Sequence, residues 1–181
     1  MVAVQRLAFA IAIAASGFAG PGVAAPLKYT SIWFLGDSLS DPGNLYDATG
    51  GVIPESPPYF EGRRSNGPVW AEHIAQDFED EGLQTQNFAY AYANAITDDD
   101  EAAGLPGQVP DLPKQIEMFS AASAGRLGSL PIASLFFGAN DIFGAIAASA
   151  ALPVGDAIAN VSATAQAAAN AVADGIVTLT G

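Results

Sequence analysis

Hydrophobic and polar residues fall in blocks along this chain, and the lengths of those blocks separate strands from helices. An apolar run from Leu7 to Ala19 follows Arg6 and precedes the small residues Gly22-Val23-Ala24-Ala25. That order reads as an export signal with a cleavage site, and the run is short for a bilayer span. Residues 1–25 are therefore assigned to a signal peptide and 26–181 to one domain. Tyr29 to Leu35 is aromatic and β-branched and ends at Gly36, the pattern of a buried first strand. From Asp41 to Gly67 the chain is dense in Gly, Pro, Asn and Tyr, which predicts a long ordered loop without regular structure. Ser65 or Asn66 can then cap a helix opened by Pro68, with Trp70, Ile74 and Phe78 at helical spacing and an end at Gly82.

Thr85 to Tyr90 reads as a second strand, followed by an acidic, Gly- and Pro-rich loop from Thr97 to Pro113 and a short helix from Lys114 to Phe119. Ile132 to Phe137 is a third apolar strand ending at Gly138. A long Ala-rich tract from Ile142 to Asp174 follows, in which Val154, Ile158, Val161, Ala165, Ala168 and Val172 mark one helical face. Ile176 to Leu179 reads as a linker or the approach to a fourth strand. Strands alternating with helices imply a parallel sheet covered on both faces. With no further strand after it, the third strand is expected as an exposed apolar edge, which suggests a domain incomplete at its C-terminus.

Composition narrows the functions this layout can serve. Half of the 181 residues are hydrophobic, enough for a sizeable core, so intrinsic disorder is excluded. Acidic residues outnumber basic ones 19 to 6, and the basic residues form no stripe. Nucleic acid and anionic membrane surfaces are therefore not expected partners. The absence of cysteine removes disulfides, thiol chemistry and cysteine metal sites. Asp98-Asp99-Asp100-Glu101 lacks the spaced carboxylates of a calcium loop and reads as a solvated turn. After signal cleavage no segment is long and apolar enough to span a membrane, and an exported, periplasmic or secreted product is expected.

Two short motifs carry chemistry. Gly36-Asp37-Ser38-Leu39-Ser40 puts a serine in a turn leaving the first strand, where its hydroxyl can meet a substrate and its N–H a developing oxyanion. By itself it is also the composition of an ordinary turn, and it lacks the second glycine of a G-x-S-x-G elbow. Gly138-Ala139-Asn140-Asp141 follows the third strand, where an Asn amide can donate into the same crevice; helix capping by Asn140 or Asp141 is the structural alternative. Asp37 and Asp41 read as turn-stabilising carboxylates, and Tyr59, Phe60 and Trp70 as lining for an acyl pocket or as core.

Taken together these stretches resemble the GDSL, or SGNH, family of serine esterases and lipases. Phe34 to Asn44 is similar to its first block, Pro58 to Trp70 to a signature of its larger bacterial and plant members, and Gly138 to Asp141 to its third block. The resemblance implies a flavodoxin-like α/β/α sandwich with a parallel sheet and hydrolysis of ester bonds through an acyl-enzyme. It implies Ser38 as nucleophile, Asn140 as oxyanion donor, no cofactor and no metal, and a small-molecule or lipid ester as the partner.

Two departures from the family pattern shape the expectation of activity. Asn87 to Ala93 occupies the second block, and Ala91-Tyr92 stands where relatives usually carry Gly-Gly. The oxyanion N–H there would come from Tyr92, whose ring can fill the crevice and whose side chain disfavours positive φ. The Asp-x-x-His of the last block is absent, and the single histidine, His73, reads as a boundary residue of a helix. A weak or inactive catalyst is expected, with a non-catalytic ester- or carbohydrate-binding remnant as the alternative reading.

Overall fold

The computed structural model describes residues 28–96, 105 and 109–180. The signal peptide at 1–25 and the acidic turn from Asp98 to Glu101 lie outside the described residues. Among the described residues eight elements follow in the order β1 (Ser31–Gly36), α1 (Asn44–Ala48), α2 (Trp70–Asp80), β2 (Gln84–Asn87), α3 (Leu112–Ser123), β3 (Pro131–Phe136), α4 (Ala139–Ala148) and α5 (Val154–Thr180). The three strands form one parallel sheet in the order β2-β1-β3. Ser31 lies opposite Gln84 on one side and Pro131 on the other, and Gly36 lies opposite Phe136.

β1 is buried along its whole length because both faces of the sheet are covered. Its period of two divides the core into two layers. Trp33 and Leu35 point to one face, where they pack with Phe88, Leu112, Ile116, Phe119 and Ala168. Ile32 and Phe34 point to the other, against Val69 and Ala71 of the α2 region. Trp33 anchors the first layer, fully buried and edge-on to Phe119 at 5.4 Å between ring centres. The result is the α/β sandwich expected from the alternation of strands and helices.

Several elements differ from the sequence expectation. The long loop holds a short helix, α1, tied by Asp41, so Gly/Pro density masked a local turn of helix. α2 begins at Trp70 behind Val69, and neither Ser65 nor Asn66 caps it; the Glu72 carboxylate accepts the Val69 N–H at 2.8 Å instead. β2 ends at Asn87, three residues early, because Phe88 to Ala91 turns toward the end of β1. The Ala-rich tract is two helices, since Pro153 cannot continue α4 and suits the start of α5. Ile176 to Leu179 is neither linker nor strand but part of α5, packed through Leu179 on the first core layer. The helical face marked in the sequence is buried only in its second half: Ala168 is 4% exposed, while Val154 and Ile158 are 76% and 62% exposed. β3 is the expected edge, with Phe136 44% exposed. No helix among the described residues is long and apolar enough to cross a membrane.

Candidate active site

In a parallel sheet the strand ends and the following turns gather at one edge, the usual place for ligand sites in open α/β folds. Gly36 closes β1 there in a tight place: a Cβ on it would lie 3.0 Å from the Cβ and Oγ of Ser40 and 3.1 Å from Phe136 O. Both backbone groups of Gly36 are held by one buried side chain. Gln115 of α3 accepts the Gly36 N–H at 2.8 Å and donates to the Gly36 carbonyl at 2.9 Å and the Pro110 carbonyl at 2.8 Å.

The turn after Gly36 uses its N–H groups selectively. Asp37 N–H donates to Phe136 O, Leu39 N–H to the Asp37 carboxylate at 3.0 Å, and Ser40 N–H to Asp37 O. Among the described residues, only Ser38 in this turn keeps both its N–H and its hydroxyl without a hydrogen bond. Ser38 is partly exposed beside Leu39, which is 51% exposed.

The second turn, after β2, repeats that pattern. Tyr90 N–H donates to Gly36 O, Ala91 N–H to the Asp41 carboxylate at 2.7 Å, and Ala93 N–H to Tyr90 O. Asn94 N–H donates to Asp111, and Ala95 and Ile96 N–H both donate to Asp141 at 2.9 Å. Tyr92 N–H is the one left without an acceptor among the described residues. Tyr92 takes φ 73°, the left-handed conformation that the sequence comparison associated with glycine.

The third component comes from α4. Gly138, at φ 115°, sets the helix off from β3. Neither Asn140 nor Asp141 caps α4. Asn140 Nδ2 donates to the Ala93 carbonyl at 2.8 Å, which uses one of its two amide hydrogens, and Asp141 holds the next two N–H groups of the same turn. Beside them an open groove of about 330 Å³ is lined by Asn94, Ile96, Asn140, Asp141 and Asn160.

Buried carboxylates organise these turns. Asp41 accepts N–H groups from Gly43, Asn44, Leu45 and Ala91 and so ties the β1 turn, α1 and the β2 turn together. Burial pushes its carboxyl above the ordinary range against the pull of those donors. Burial also raises the Asp37 carboxyl; two backbone N–H bonds oppose the rise and the nearby charge of Asp141 adds to it. Asp37 Oδ2 and Ser40 Oγ are buried without a partner among the described residues. Asn87 and Asn44 complete the link: Asn87 Nδ2 donates to Ser40 O, and Asn44 Nδ2 to Ala89 O, each at 2.8 Å.

Of the residues nominated by the sequence, Ser38, Tyr92 and Asn140 all sit on turns at this sheet edge. His73 is exposed on α2, and its imidazole makes no hydrogen bond among the described residues. Trp70 is 37% exposed and packs edge-on to Phe34 at 5.6 Å, and Tyr59 and Phe60 stack with Arg64 and Arg63. No cluster of metal-binding side chains occurs among the described residues. Sequence reasoning missed Gln115, although Leu112, Gln115, Ile116 and Phe119 share one helical face and a glutamine on an apolar stripe must find buried partners.

Comparison with known proteins fits this geometry. The model of the GDSL-like lipase/acylhydrolase family matches residues 32–180. The chain belongs to the GDSL-like lipase/acylhydrolase family. It is 46% identical over 68 residues to the phosphatidylcholine-sterol acyltransferase of Aeromonas hydrophila, covering 38% of this chain and 20% of that protein. It is 43% identical over 51 residues to the thermolabile hemolysin of Vibrio parahaemolyticus serotype O3:K6 (strain RIMD 2210633), covering 28% of this chain and 12% of that protein. The aligned stretches thus span a fifth or less of those relatives.

Proposed function

We propose that this chain carries the acyl-transfer site of an exported ester hydrolase acting on lipid esters, with Ser38 as its nucleophile. The carrying observation is the pair of unused N–H groups, at Ser38 and Tyr92, each flanked by N–H groups that are already bonded. A backbone donor left open at a sheet edge suits a charge that exists only during reaction. Ser38 Oγ attacks the acyl carbonyl, and its proton passes to water. The oxyanion takes hydrogen bonds from Ser38 N–H, Tyr92 N–H and the second Nδ2 hydrogen of Asn140. The alcohol then leaves with a proton from solvent, and water, or another alcohol, releases the acyl group from Ser38. Each oxyanion donor is worth about 100-fold to 1000-fold in rate.

The exposed position of His73 on α2 supports a slow reaction by this chain, because no histidine bonds Ser38 among the described residues. Loss of a catalytic base costs on the order of a million-fold in other serine hydrolases. The same observation favours a second reading, a non-catalytic ester- or carbohydrate-binding domain. The two readings separate in the hydrolysis of p-nitrophenyl butyrate by the folded chain. A rate above that of Ser38→Ala supports the nucleophile; equal rates for both proteins, with unchanged circular dichroism, support binding alone.

A further inference from the structure

Arg63 and Arg64 are neighbours with opposite surroundings. Arg63 is neutralised: Nη2 and Nε donate to the Glu72 carboxylate at 2.6 and 3.1 Å, and Nη1 donates to the Glu61 carbonyl at 2.7 Å. Arg64 has no carboxylate partner among the described residues, in a chain with a net charge of −13. Its guanidinium lies 4.2 Å from the centre of the Tyr92 ring and 5.8 Å from that of Tyr59, and Nη2 donates to Tyr92 Oη. Arg64 Nε is buried and has no acceptor among the described residues. A guanidinium held over the Tyr92 ring and near that of Tyr59 has lost rotamer freedom in advance, and its planar fork keeps N–H groups open for an incoming anion.

Tyr92 links this cation to the reacting centre. Its N–H is an open backbone donor at the sheet edge, while its ring and hydroxyl hold Arg64. Because Tyr92 Oη accepts from Arg64, its own hydrogen remains available to a further acceptor. An ester carbonyl at the Tyr92 N–H would therefore have a cation and a hydroxyl donor one tyrosine length away. The glycerol bridge between an acyl carbonyl and the phosphorus of a glycerophospholipid is of comparable length. Exposed Leu39, beside Ser38, offers apolar surface for the acyl chain.

We infer that Arg64, with the Tyr92 hydroxyl, forms a subsite for the phosphodiester anion of a glycerophospholipid whose acyl ester lies at Ser38. This rests on the proposed acyl-transfer reading for the position of the ester, but its test reads binding and needs no turnover. The soluble probe is dihexanoylphosphatidylcholine below its micelle concentration; dihexanoylglycerol, which lacks the phosphate, is the uncharged control. Calorimetric titration is run on the full chain and on Arg64→Gln and Arg64→Lys, with circular dichroism to verify folding. Arg64→Gln should weaken phospholipid binding about 10-fold to 100-fold, as expected for a charged hydrogen bond, and leave diacylglycerol binding unchanged. Arg64→Lys, which keeps the charge and loses the fork, should fall between.

Competition by glycerophosphocholine and by inorganic phosphate separates the sources of the anion. Displacement by the former at lower concentration assigns the subsite to the lipid headgroup. Equal displacement by inorganic phosphate overturns that assignment in favour of a general anion site. Equal weakening of both lipids in Arg64→Gln, no weakening of either, or no phospholipid binding by the unaltered chain would each overturn the subsite. Phospholipid binding that depends on Arg64 while Ser38 proves inert would sink only the acyl-transfer reading.

Discussion

The turns after β1 and β2 are held by buried side chains that reach across the sheet edge, whereas the surface of β3, α4 and the first half of α5 leaves large apolar side chains in water. On the first side Asp41 alone accepts four N–H groups, and Gln115 serves both backbone groups of Gly36. On the second, Phe136, Phe143, Ile146 and Ile158 are 44–66% exposed. Isolated exposed hydrophobics are ordinary, but a run of them across an edge strand and two helices is not. The difference teaches that the backbone of the turns is fixed by directional bonds made within this chain, including those from Asn140 and Asp141 of α4 and from β3 to Asp37, even though other side chains of β3 and α4 stand in water.

The largest test of that contrast is Asp41→Ala. It strands four N–H donors on two segments, Gly43 to Leu45 and Ala91, and is expected to destabilise the chain by about 3–5 kcal/mol in urea unfolding, since each buried unpaired group costs about 1–3 kcal/mol and neighbouring losses are not additive. A cost near zero would mean that water replaces Asp41 and that the turns are not held from within. Next in size, Gln115→Leu keeps the volume but removes the acceptor of the Gly36 N–H and the donor to the Pro110 carbonyl, while Gly36 O keeps Tyr90 N–H, with an expected loss of about 2–3 kcal/mol.

A smaller effect is set by pH. The folded Asp37 carboxyl is raised above its ordinary 3.8, chiefly by burial. Its contribution to stability is therefore complete below that value and is lost as pH rises through the folded value; Asp41, also raised, acts in the same direction. Glu72 acts in the opposite sense: burial alone would raise it, but Arg63 and the Val69 N–H hold it below 4.5, so its contribution fades as pH falls. Asp37→Asn should remove the part of the decline above pH 4 that belongs to Asp37, read as a flatter plot of unfolding free energy against pH; an unchanged slope would show that Asp37 titrates normally. Smallest of all, Phe143→Ser and Ile158→Ser should each change stability by no more than about 0.5 kcal/mol while reducing self-association in sedimentation. A larger loss in the monomer would place these side chains in a core and erase the contrast.

How much of this was legible in the sequence follows the same division. β1 and β3, the two-sided sheet and the turns after those two strands could be read from apolar runs that close on Gly36 and Gly138, because buried parallel strands leave a strong compositional mark, whereas the polar β2 was placed only approximately. The family pattern nominated Ser38, Tyr92 and Asn140. The side chains that hold the turns could not be read in the same way. Asp41 reads as a turn-stabilising carboxylate, and its bonds to Gly43, Asn44 and Leu45 bear that out; its bond to Ala91, and those of Asn140 and Asp141, for which capping was the structural alternative, reach partners 45–50 positions away, and local spacing carries no record of such bonds. The break at Pro153 was written in the sequence but hidden by the uniform alanine around it. Arg64 gave no signal at all, since nothing in Gly62-Arg63-Arg64-Ser65 distinguishes the arginine that meets Glu72 from the one that stacks on tyrosine.

The measurement closest to the central claim is intact-protein and peptide mass spectrometry after incubation with p-nitrophenyl butyrate, with and without imidazole as an added base. The account predicts one butyryl group per chain on the peptide containing Ser38, formed faster with imidazole and absent in Ser38→Ala. Butyrylation spread over other residues, or the same yield in Ser38→Ala, would contradict it.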